Sequence, residues 1–363
     1  MKTSAEVLLR VERLYRRYGS AVAVDEVSFE VFQGEFFSLL GPSGCGKSTT
    51  LRLLAGLEEP DSGEICLKGD VIVSARDGIF VSAEQRHIGL VFQSYAVWPH
   101  MTAFQNVAYP LEVRRWNRQE TRRKAEQVLE SVGLAGLEDR RPAELSGGQQ
   151  QRLALARSLV YEPDLLLLDE PLSNVDAKLR EQLRIELKKL QQKIGITIVY
   201  VTHDQSEAMA LSHRLAVMNR GRIEQIGRPE EVYKAPGTFF VQNFVGRLIT
   251  FEGRLTERSS QRVVELPGGR SIAIRDGLAI ANGGQVCVAV RPEDMEIEAG
   301  AGEPGAQGIS GTVQDVAYVG GRYECAIQAA GSEFVLDMPA SLRLAKGQAV
   351  TLRLKETTVW PSS

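Results

Sequence analysis

The stretch GPSGCGKST, residues 41–49, combines a glycine-rich turn with a lysine and two hydroxyl residues. A predicted strand, FFSLL, precedes it and a predicted helix, KSTTLRLLAGL, follows it, which is the context of a phosphate-binding loop. Glycines let successive N–H groups point at one phosphate, and the helix N-terminus adds favourable partial charge. Lys47 is expected to reach the terminal phosphates of a nucleotide, and the Ser48 hydroxyl to ligate Mg²⁺. The alternative is a turn that binds no ligand. The candidate nucleotide-binding residues are Gly41, Pro42, Ser43, Gly44, Cys45, Gly46, Lys47, Ser48 and Thr49.

Two carboxylates, Asp169 and Glu170, follow the apolar run LLLL, which is a predicted buried strand. Ligands of parallel sheets bind at the carboxyl ends of the strands, so the pair is expected beside the phosphate-binding loop. Asp169 would help to hold Mg²⁺, directly or through water. Glu170 would polarise the water that attacks a γ-phosphate. The alternative is that this pair only ends a strand before a turn, and the phosphate-binding motif in the same chain argues against it.

The sequence contains four cysteines, Cys45, Cys66, Cys287 and Cys325, without the paired spacing of a metal site. This pattern indicates free thiols in a reducing compartment. Cys45 lies inside the phosphate-binding motif, where Lys47 and the helix N-terminus are expected to lower the pKa of its thiol. Under this hypothesis, alkylation of Cys45 blocks nucleotide binding and bound nucleotide protects the thiol.

A second glycine-containing segment is LSGGQQQR, residues 145–152. Ser146 can cap the helix that follows, while Gly147 and Gly148 allow close approach of the backbone to a ligand. This helix start is therefore a second candidate anion site. The chain already has one phosphate-binding motif. A second anion site is therefore expected to contact the other side of a nucleotide that a partner subunit holds.

The order of predicted elements changes once along the chain. Strands alternate with helical patterns up to about residue 240, which indicates α/β architecture. In KLREQLRIELKKLQQKIGITIVYVTHD, leucines recur at helical spacing, Gly195 can end the helix, and ITIVYVT is a predicted buried parallel strand. Later segments such as QVCVAV and AVTLRLK are short strands without helical periodicity, which predicts a small all-β barrel or sandwich. The predicted domains are residues 1–240, with a helical insert at about 93–162, and residues 241–363.

Composition limits the classes of function. The chain has 363 residues, of which 43% are hydrophobic and 25% charged, as expected for a globular protein of roughly two domains. Its net charge of -3 provides no overall attraction to nucleic acid or to an anionic membrane. No apolar run approaches the roughly 20 residues of a membrane helix, and the first residues are too charged for a signal peptide. We therefore expect a cytosolic protein that does not bind nucleic acid.

The LSGGQ segment resembles the signature motif of ABC ATPases, and its combination with GPSGCGKST and LLLLDE makes the resemblance specific. The resemblance implies a head-to-tail dimer, formed with a second copy or a similar ATPase, that encloses two ATP molecules. Each ATP would be held by the phosphate-binding loop of one subunit and the signature of the other. The residues implied to contact the ATP of the partner subunit are Ser146, Gly147, Gly148, Gln149 and Asp176.

Other positions match the same family pattern. Gln93 in LVFQSY resembles the glutamine that reaches Mg²⁺ or the attacking water, and His203 in VYVTHD resembles the switch histidine. The stretch SNVD, residues 173–176, resembles the D-loop but carries Val175 where leucine is commoner. Tyr18 stands where the family places an aromatic residue that stacks on adenine. A solvated glutamine, a structural histidine and an ordinary strand-end tyrosine are the alternatives. The implied catalytic residues are Glu170, His203 and Gln93, and the implied metal-binding residues are Ser48, Gln93 and Asp169.

An apolar cluster follows Gln93 and contains Tyr95, Val97, Trp98, Pro99 and Met101. In the family this region meets a short helix of a membrane subunit, and an apolar surface beside a phosphate sensor suits mechanical coupling. The alternative is core packing of the helical insert. The segment AVRPEDMEI, residues 289–297, resembles part of the C-terminal regulatory barrel of importer ATPases for sugars, polyamines or ferric iron.

The resemblance implies an α/β P-loop ATPase domain with an inserted helical subdomain, followed by an all-β, OB-like barrel. The chain would bind ATP and Mg²⁺ at the cytoplasmic face of the membrane beneath two permease subunits, and ATP hydrolysis would energise solute import. A separate extracytoplasmic binding protein would capture the solute, which the residues of this chain do not identify. Two alternatives remain. The RPED-containing tail disfavours an exporter ATPase, and a single cassette without a heptad run disfavours a soluble ABC protein that acts on nucleic acid or ribosomes.

Overall fold

The computed structural model describes residues 6–173, 175–258, 261–267, 271–273, 281–300 and 308–362. The chain divides into two compact units, residues 1–241 and residues 242–363. Among the described helices, none combines the length and the apolar composition required to cross a membrane.

The first unit contains two sheets. Its strands, within the described residues, are β1 (Val7–Tyr18), β2 (Ala21–Phe32), β3 (Phe36–Leu40), β4 (Ser62–Leu67), β5 (Asp70–Ser74), β6 (Ile79–Phe80), β7 (Ile88–Val91), β8 (Leu165–Asp169), β9 (Thr197–Thr202), β10 (Arg214–Asn219) and β11 (Arg222–Gly227). The helices that accompany them are α1 (Lys47–Ala55), α2 (Ala103–Val113), α3 (Arg118–Ser131), α4 (Gly147–Leu159), α5 (Ala177–Ile194), α6 (Gln205–Leu211), α7 (Pro229–Lys234) and α8 (Phe239–Phe244).

The central sheet has the strand order β11-β10-β3-β9-β8-β7. Its neighbours from β10 to β7 pair in parallel, and β11 joins the edge antiparallel to β10. Every residue of β3, β8 and β9 is buried, as expected for parallel strands covered on both faces. Because the strands are parallel, the segments that follow β3, β7, β8 and β9 all begin at the same edge of the sheet.

Two apolar cores cover the two faces of the central sheet. In β3, Phe37 and Leu39 belong to one core and Phe36 to the other. In β9, Val201 and Tyr200 alternate between the cores in the same way. This alternation follows from the two-residue period of a strand. The first core is shared with α1 and the antiparallel sheet, and the second with helices α2 to α5.

The antiparallel sheet has the order β2-β1-β4-β5-β6 and was not predicted from the sequence, which suggested only alternation of strands and helices. The β1–β2 ladder is interrupted by register shifts, including one between Val11 and Leu14. Such irregularities break the alternation of apolar and polar residues that identifies a strand in a sequence. Strands β4 to β6 lie within residues 62–80, before the predicted helical insert at about 93–162.

Several helices of the first unit begin or end with recognisable caps. Thr102 and Gln105 form a capping box at the start of α2, and Asn117 caps α3. On the long helix α5, Leu183 and Leu187 are buried and Gly195 takes a φ of +73° at the C-terminus. This confirms the predicted stop, since glycine tolerates the left-handed region without steric cost.

The second unit consists of two antiparallel sheets in the part of the chain that the structure describes. One has the order β14-β13-β12-β15-β21 and the other β16-β20-β17-β18-β19. Their strands are β12 (Ile249–Arg258), β13 (Gln261–Glu265), β14 (Ser271–Ala273), β15 (Gln285–Val290), β16 (Met295–Ala299), β17 (Ile309–Tyr318), β18 (Arg322–Ala329), β19 (Ser332–Pro339), β20 (Ala349–Leu354) and β21 (Thr358–Pro361). Side chains from both sheets, such as Phe251 and Leu352, form a single core. The predicted all-β character is confirmed.

Candidate functional site

The phosphate-binding loop, residues 41–46, connects β3 to α1. Gly44 and Gly46 take φ values of +79° and +102°, which side chains rarely adopt. A Cβ at Gly46 would overlap the carbonyl oxygen of Ala23, and one at Gly41 would overlap that of Met218. The glycines are therefore required by the packing of the loop as well as by its curvature.

Lys47, the first residue of α1, is only 4% exposed. Its Nζ donates to the carbonyl oxygens of Gly41, at 2.8 Å, and Pro42, at 3.0 Å. The Lys47 ammonium group thus lies over the loop that precedes Lys47 in the chain. The backbone amides of the loop, the N-terminus of α1 and this cation are close together in the chain and in space, and such groups favour a phosphate.

Ser48 and Asp169 meet beside the loop although they lie 121 residues apart in the chain. The Ser48 Oγ donates to Asp169 Oδ1 at 2.8 Å. Burial raises the pKa of the Asp169 carboxyl, the Ser48 hydrogen bond opposes this effect, and the charge of Glu170 adds to it. A nearby cation would relieve the cost of the buried negative charge.

The Ser48 and Asp169 oxygens fit Mg²⁺, which prefers hard oxygen ligands and usually keeps water and phosphate oxygens in its shell. Within the described residues there is no cluster of three or more histidine, cysteine or acidic side chains that could enclose a metal ion. A Mg²⁺ ion held by Ser48 and Asp169 would take its remaining ligands from water and phosphate oxygens.

Glu170 and His203 lie at the ends of neighbouring strands. Glu170 has a φ of +44°, and its backbone N–H donates to Val201 O in β9 at 3.0 Å. His203 Nδ1 lies 2.9 Å from Glu170 Oε2. The His203 side chain is 51% exposed and that of Glu170 is 17% exposed. A carboxylate and an imidazole, groups that can accept a proton from water, thus lie together at the carboxyl edge of the sheet.

Gln93 approaches the same region through Ser173. The Gln93 Nε2 donates to Ser173 Oγ at 3.3 Å, and Ser173 Oγ donates to the backbone oxygen of Glu170 at 2.9 Å. Gln93 is thereby connected to the catalytic candidate through one hydroxyl group. Asn174, the second residue of the SNVD stretch, lies outside the described residues.

The signature segment lies at the start of α4. Ser146 Oγ accepts from Gln149 N at 3.3 Å, and Gln149 Oε1 accepts from Ser146 N at 2.9 Å, which forms the capping box. Ser146 and Gly147 are exposed. A Cβ at Gly147 would meet nothing within 4 Å, whereas one at Gly148 would contact Leu179 at 3.6 Å. Packing within this chain therefore does not explain the glycine at position 147.

Asp176 is the N-cap of α5, and its Oδ1 accepts from Leu179 N at 3.0 Å. Tyr18, at the end of β1, is 44% exposed and its hydroxyl donates to Glu58. The Arg16 guanidinium lies 5.0 Å from the centre of the Tyr18 ring. An exposed aromatic ring with a cation at one face offers a surface on which a base can stack.

The expectation for Cys45 is wrong. The side chain is 3% exposed, and burial raises the pKa of its thiol despite the opposing charge of Lys47. Lys47 Nζ lies 3.8 Å from the sulfur, but it donates more closely to two carbonyl oxygens. The cost of desolvating the Cys45 thiolate outweighs the attraction of Lys47, because the Lys47 ammonium group is already hydrogen-bonded to the two carbonyl oxygens. Cys45 is thus a packed side chain of the loop and not an activated nucleophile.

The predicted apolar cluster is only partly exposed. Tyr95 is 6% exposed and packs in the core, so it does not form part of an outer surface. Trp98 is half-buried, with its ring 4.8 Å from that of Tyr109 and 4.6 Å from the Arg157 guanidinium. Phe92 and Tyr109 are exposed. The available apolar surface therefore includes residues that the sequence analysis did not single out.

Two arginines with structural roles near the site were also missed. Arg157 donates to Ala96 O at 2.7 Å and Tyr95 O at 3.0 Å, and so holds the segment after Gln93. Arg180 contacts the segments that follow β8 and β9. Arg157 lies on α4 and Arg180 on the highly charged helix α5. An arginine on a helix is usually solvated, so the sequence contains no signal for either role.

Comparisons with known proteins identify the family of the chain. Residues 24–173 match the family model for ABC transporters, and residues 288–360 match the model for the TOBE domain. The spermidine/putrescine import ATP-binding protein PotA of Chromobacterium violaceum is 45% identical over 315 residues, 86% of each chain. The trehalose/maltose import ATP-binding protein MalK of Thermococcus litoralis is 42% identical over 351 residues, 94% of each chain.

A third relative, the Fe(3+) ions import ATP-binding protein FbpC of Agrobacterium fabrum, is 43% identical over 345 residues, 95% of this chain and 94% of the relative. Among solved structures, the ATP-binding cassette MJ0796, in a dimeric post-hydrolysis state bound to ADP and Pi, has a TM-score of 0.53 and 31% identity. It covers 61% of this chain and 99% of that chain. The present chain therefore belongs to the ABC transporter family, as the ATP-binding and ATP-hydrolysing component of an import system.

Proposed function

We propose that this chain hydrolyses ATP at a site built from the phosphate-binding loop, the Ser48–Asp169 pair and the Glu170–His203 pair, and thereby energises solute import. One observation supports the proposal most directly. The two pairs lie at one edge of the parallel sheet, at the ends of neighbouring strands β8 and β9 and beside the loop that follows β3. Parallel α/β sheets bind their ligands at this edge.

The loop amides and Lys47 would bind the phosphates, with Gly41, Pro42, Ser43, Gly44, Cys45, Gly46 and Thr49 shaping the pocket. Ser48 and Asp169, with Gln93, would hold Mg²⁺, which neutralises phosphate charge when bound. Tyr18 would stack on the base. Glu170 would accept a proton from the attacking water, and His203 would keep the Glu170 carboxylate in position through their 2.9 Å contact.

A second subunit would complete each site. The start of α4 is exposed, and a side chain at Gly147 would meet no atom of its own chain within 4 Å. We therefore assign Ser146, Gly147, Gly148 and Gln149, together with Asp176, to the ATP bound by the partner, which is a second copy of the chain or a similar ATPase. Helix N-termini bind phosphate groups in this way.

Coupling to transport would occur at the half-exposed surface around Trp98, which lies on the segment that follows Gln93. Phe92 and Tyr109 extend this surface and are exposed apolar residues. We propose that it contacts two permease subunits, which hold the ATPase at the cytoplasmic face of the membrane. An extracytoplasmic binding protein would deliver the solute, and residues 242–363 would regulate the cycle.

The solute belongs to the classes of the relatives, whose names specify polyamines, trehalose or maltose, and ferric ions. Copurification of the tagged chain, followed by identification of the permease and binding protein, tests this proposal. We expect the reconstituted complex to hydrolyse ATP faster when the solute-loaded binding protein is added. A complex that contains no permease, or one in which ATP hydrolysis drives efflux of the solute, would contradict the import function.

A further inference from the structure

Arg180, in the first turn of α5, connects two loops at the candidate site. Its Nη2 donates to Val175 O at 3.1 Å, in the segment that follows Glu170. Its Nη1 donates to Asp204 Oδ2 at 3.3 Å, next to His203. The guanidinium is planar and rigid, so the two contacts fix the distance between the loops that follow β8 and β9.

Both carboxylate oxygens of Asp204 accept hydrogen bonds. Its Oδ1 caps α6 by accepting from Ser206 N at 2.8 Å and from Glu207 N at 3.2 Å, which leaves Oδ2 for Arg180. Burial works against ionisation of the Asp204 carboxyl, but its hydrogen bonds lower the pKa overall. Asp204 is thus a charged partner for Arg180 and immediately follows His203 in the chain.

Glu207 is a buried member of the same group of interacting side chains. It is 3% exposed, and its Oε2 accepts from the hydroxyls of Tyr200 and Thr202, both at 2.7 Å. Its Oε1 lies 3.9 Å from Arg180 Nε. Burial raises the pKa of the Glu207 carboxyl, with the hydroxyl hydrogen bonds opposing this effect. Arg180 therefore provides a positive charge beside two carboxyl groups, that of the partly buried Asp204 and that of the buried Glu207.

The other loop is also attached to α5. Leu172 and Val175 are buried in a small cluster with Leu183. Ser173 Oγ, from the same loop, donates to Glu170 O at 2.9 Å. Packing on α5 therefore holds residue 175, and the Ser173 hydrogen bond connects the same loop to the Glu170 backbone.

We propose that Arg180 is a positioning residue for ATP hydrolysis, which holds the loop before Asp176 and the loop of His203 in one arrangement around Glu170. Arg180 would not contact the nucleotide. It would link the position of the loop before Asp176 to that of His203 through its hydrogen bonds to Val175 O and to Asp204, the residue that follows His203. This inference rests on the proposed catalytic roles of Glu170 and His203.

The chain offers a matched control on the same helix. Arg184 lies one turn beyond Arg180, and within the described residues its hydrogen bonds go to Ser206 O and Ser206 Oγ, at 3.3 and 3.4 Å. Both arginines contact α6, but only the Arg180 hydrogen bonds include Val175 and Asp204. Loss of a charge from α5 is common to both variants, so a difference between them reports on the loop contacts.

The test compares Arg180→Gln, Arg180→Lys and Arg184→Gln in the full-length protein, by kcat, KM, ATP affinity and Tm. We expect Arg180→Gln to lower kcat by about tenfold or more while KM and ATP affinity stay within about twofold, because misplacement of catalytic groups costs rate and not binding. Arg180→Lys is expected to be intermediate, since an ammonium cannot reproduce a planar, two-sided contact. Arg184→Gln should match the wild type.

Wild-type kcat in Arg180→Gln, or a loss of kcat that only follows a parallel loss of ATP affinity, would overturn the inference. If Arg180→Gln does not fold, Asp204→Asn decides, because asparagine retains the helix cap but lacks the charge. We expect the same selective loss of kcat, and wild-type kcat in Asp204→Asn would also overturn the inference. Glu170→Gln is measured in parallel. An active Glu170→Gln protein would refute the proposed role of Glu170, on which this inference rests, whatever Arg180 does.

Discussion

Glu170 takes a left-handed backbone conformation, with a φ of +44°, at the point where β8 ends. Non-glycine residues in this region cost of order 1–3 kcal/mol, and such strain persists where the surrounding structure imposes it. Here the constraints are the hydrogen bond from Glu170 N to Val201 O and the contact of its carboxylate with His203. The strain aims the carboxylate at the edge of the sheet instead of continuing the strand.

We predict that Glu170→Gln retains ATP binding but loses turnover by about 100-fold or more, because an amide cannot accept the proton of the attacking water. The phosphate-binding loop does not contain residue 170, so nucleotide affinity should be preserved. Single-turnover hydrolysis and equilibrium ATP binding measure the two quantities. Lys47→Ala is the contrasting variant, since it removes the cation of the loop and should weaken ATP binding.

Asp169 supports a second prediction, concerning stability. Burial raises the pKa of this carboxyl in the folded state. A raised folded-state pKa favours folding most below the unfolded value of about 4, and this contribution is lost as the pH rises through the folded-state pKa. In the absence of Mg²⁺ and ATP at pH 7, Asp169→Asn should therefore raise Tm, by about 2 °C.

The Tm advantage of Asp169→Asn should shrink as the pH is lowered towards 4, because the wild-type carboxyl then becomes neutral. Addition of Mg²⁺ and ATP should stabilise the wild type more than the variant. Calorimetry across this pH range measures both effects. A lower Tm for Asp169→Asn at pH 7 would mean that the buried charge is already compensated within the chain.

At the scale of elements, our proposal places phosphate groups at two helix starts, those of α1 and α4. The two differ in whether packing within the chain requires their glycines. The loop before α1 requires its glycines for internal packing, as the overlaps at Gly41 and Gly46 demonstrate. The start of α4 does not, since Gly147 faces open space. A glycine that the chain itself does not require indicates close approach by something else.

We predict that Gly147→Arg folds and binds ATP but does not hydrolyse it. Gly147 is exposed, so the folding free energy should change by no more than about 0.5 kcal/mol. The arginine would block contact with the ATP of the partner. Thermal unfolding, ATP binding and steady-state turnover provide the measurements. Ser146→Ala calibrates only the stability of the helix cap, whose loss costs about 1 kcal/mol, because Ser146 is itself assigned to the ATP of the partner. Normal turnover in Gly147→Arg would separate this helix start from catalysis.

The elements that the sequence identifies best are those with strong local signals. The helix cap at Ser146 and the stop at Gly195 follow from residue types within one turn of helix, and both are present in the structure. The antiparallel sheet was missed, since bulges in the β1–β2 ladder remove the regular alternation. The burial of Tyr95 was missed as well, because an irregular segment has no periodicity from which burial can be inferred.

At the scale of the whole molecule, each catalytic centre in our proposal is shared between two subunits. The phosphate-binding loop and the Glu170–His203 pair belong to one subunit, and the start of α4 belongs to the other. In a two-fold dimer with a head-to-tail arrangement of these parts, both centres are equivalent. Activity should therefore depend on assembly and not only on the fold of one chain.

A mixing experiment tests this sharing directly. Lys47→Ala and Gly147→Arg each disable both sites of their own dimer, but a mixed dimer has one site with an intact loop and an intact signature segment. We expect an equimolar mixture, dissociated and reassembled, to recover about one quarter of wild-type turnover if the sites act independently. The separate variants should stay inactive. A mixture as inactive as its components would contradict independent, shared sites.

The motifs that can be read from neighbouring residues were determined by the sequence alone: the phosphate-binding loop, the carboxylate pair after LLLL and the helix start at LSGGQ. Tertiary structure decided which distant groups meet, such as Ser48 with Asp169 across 121 residues, and Arg180 with Asp204 across 24. It also decided that Cys45 is buried and has a raised pKa. The physical reason is that backbone conformation depends mainly on local residues, whereas burial, charge and hydrogen-bond partners depend on every segment packed around a side chain.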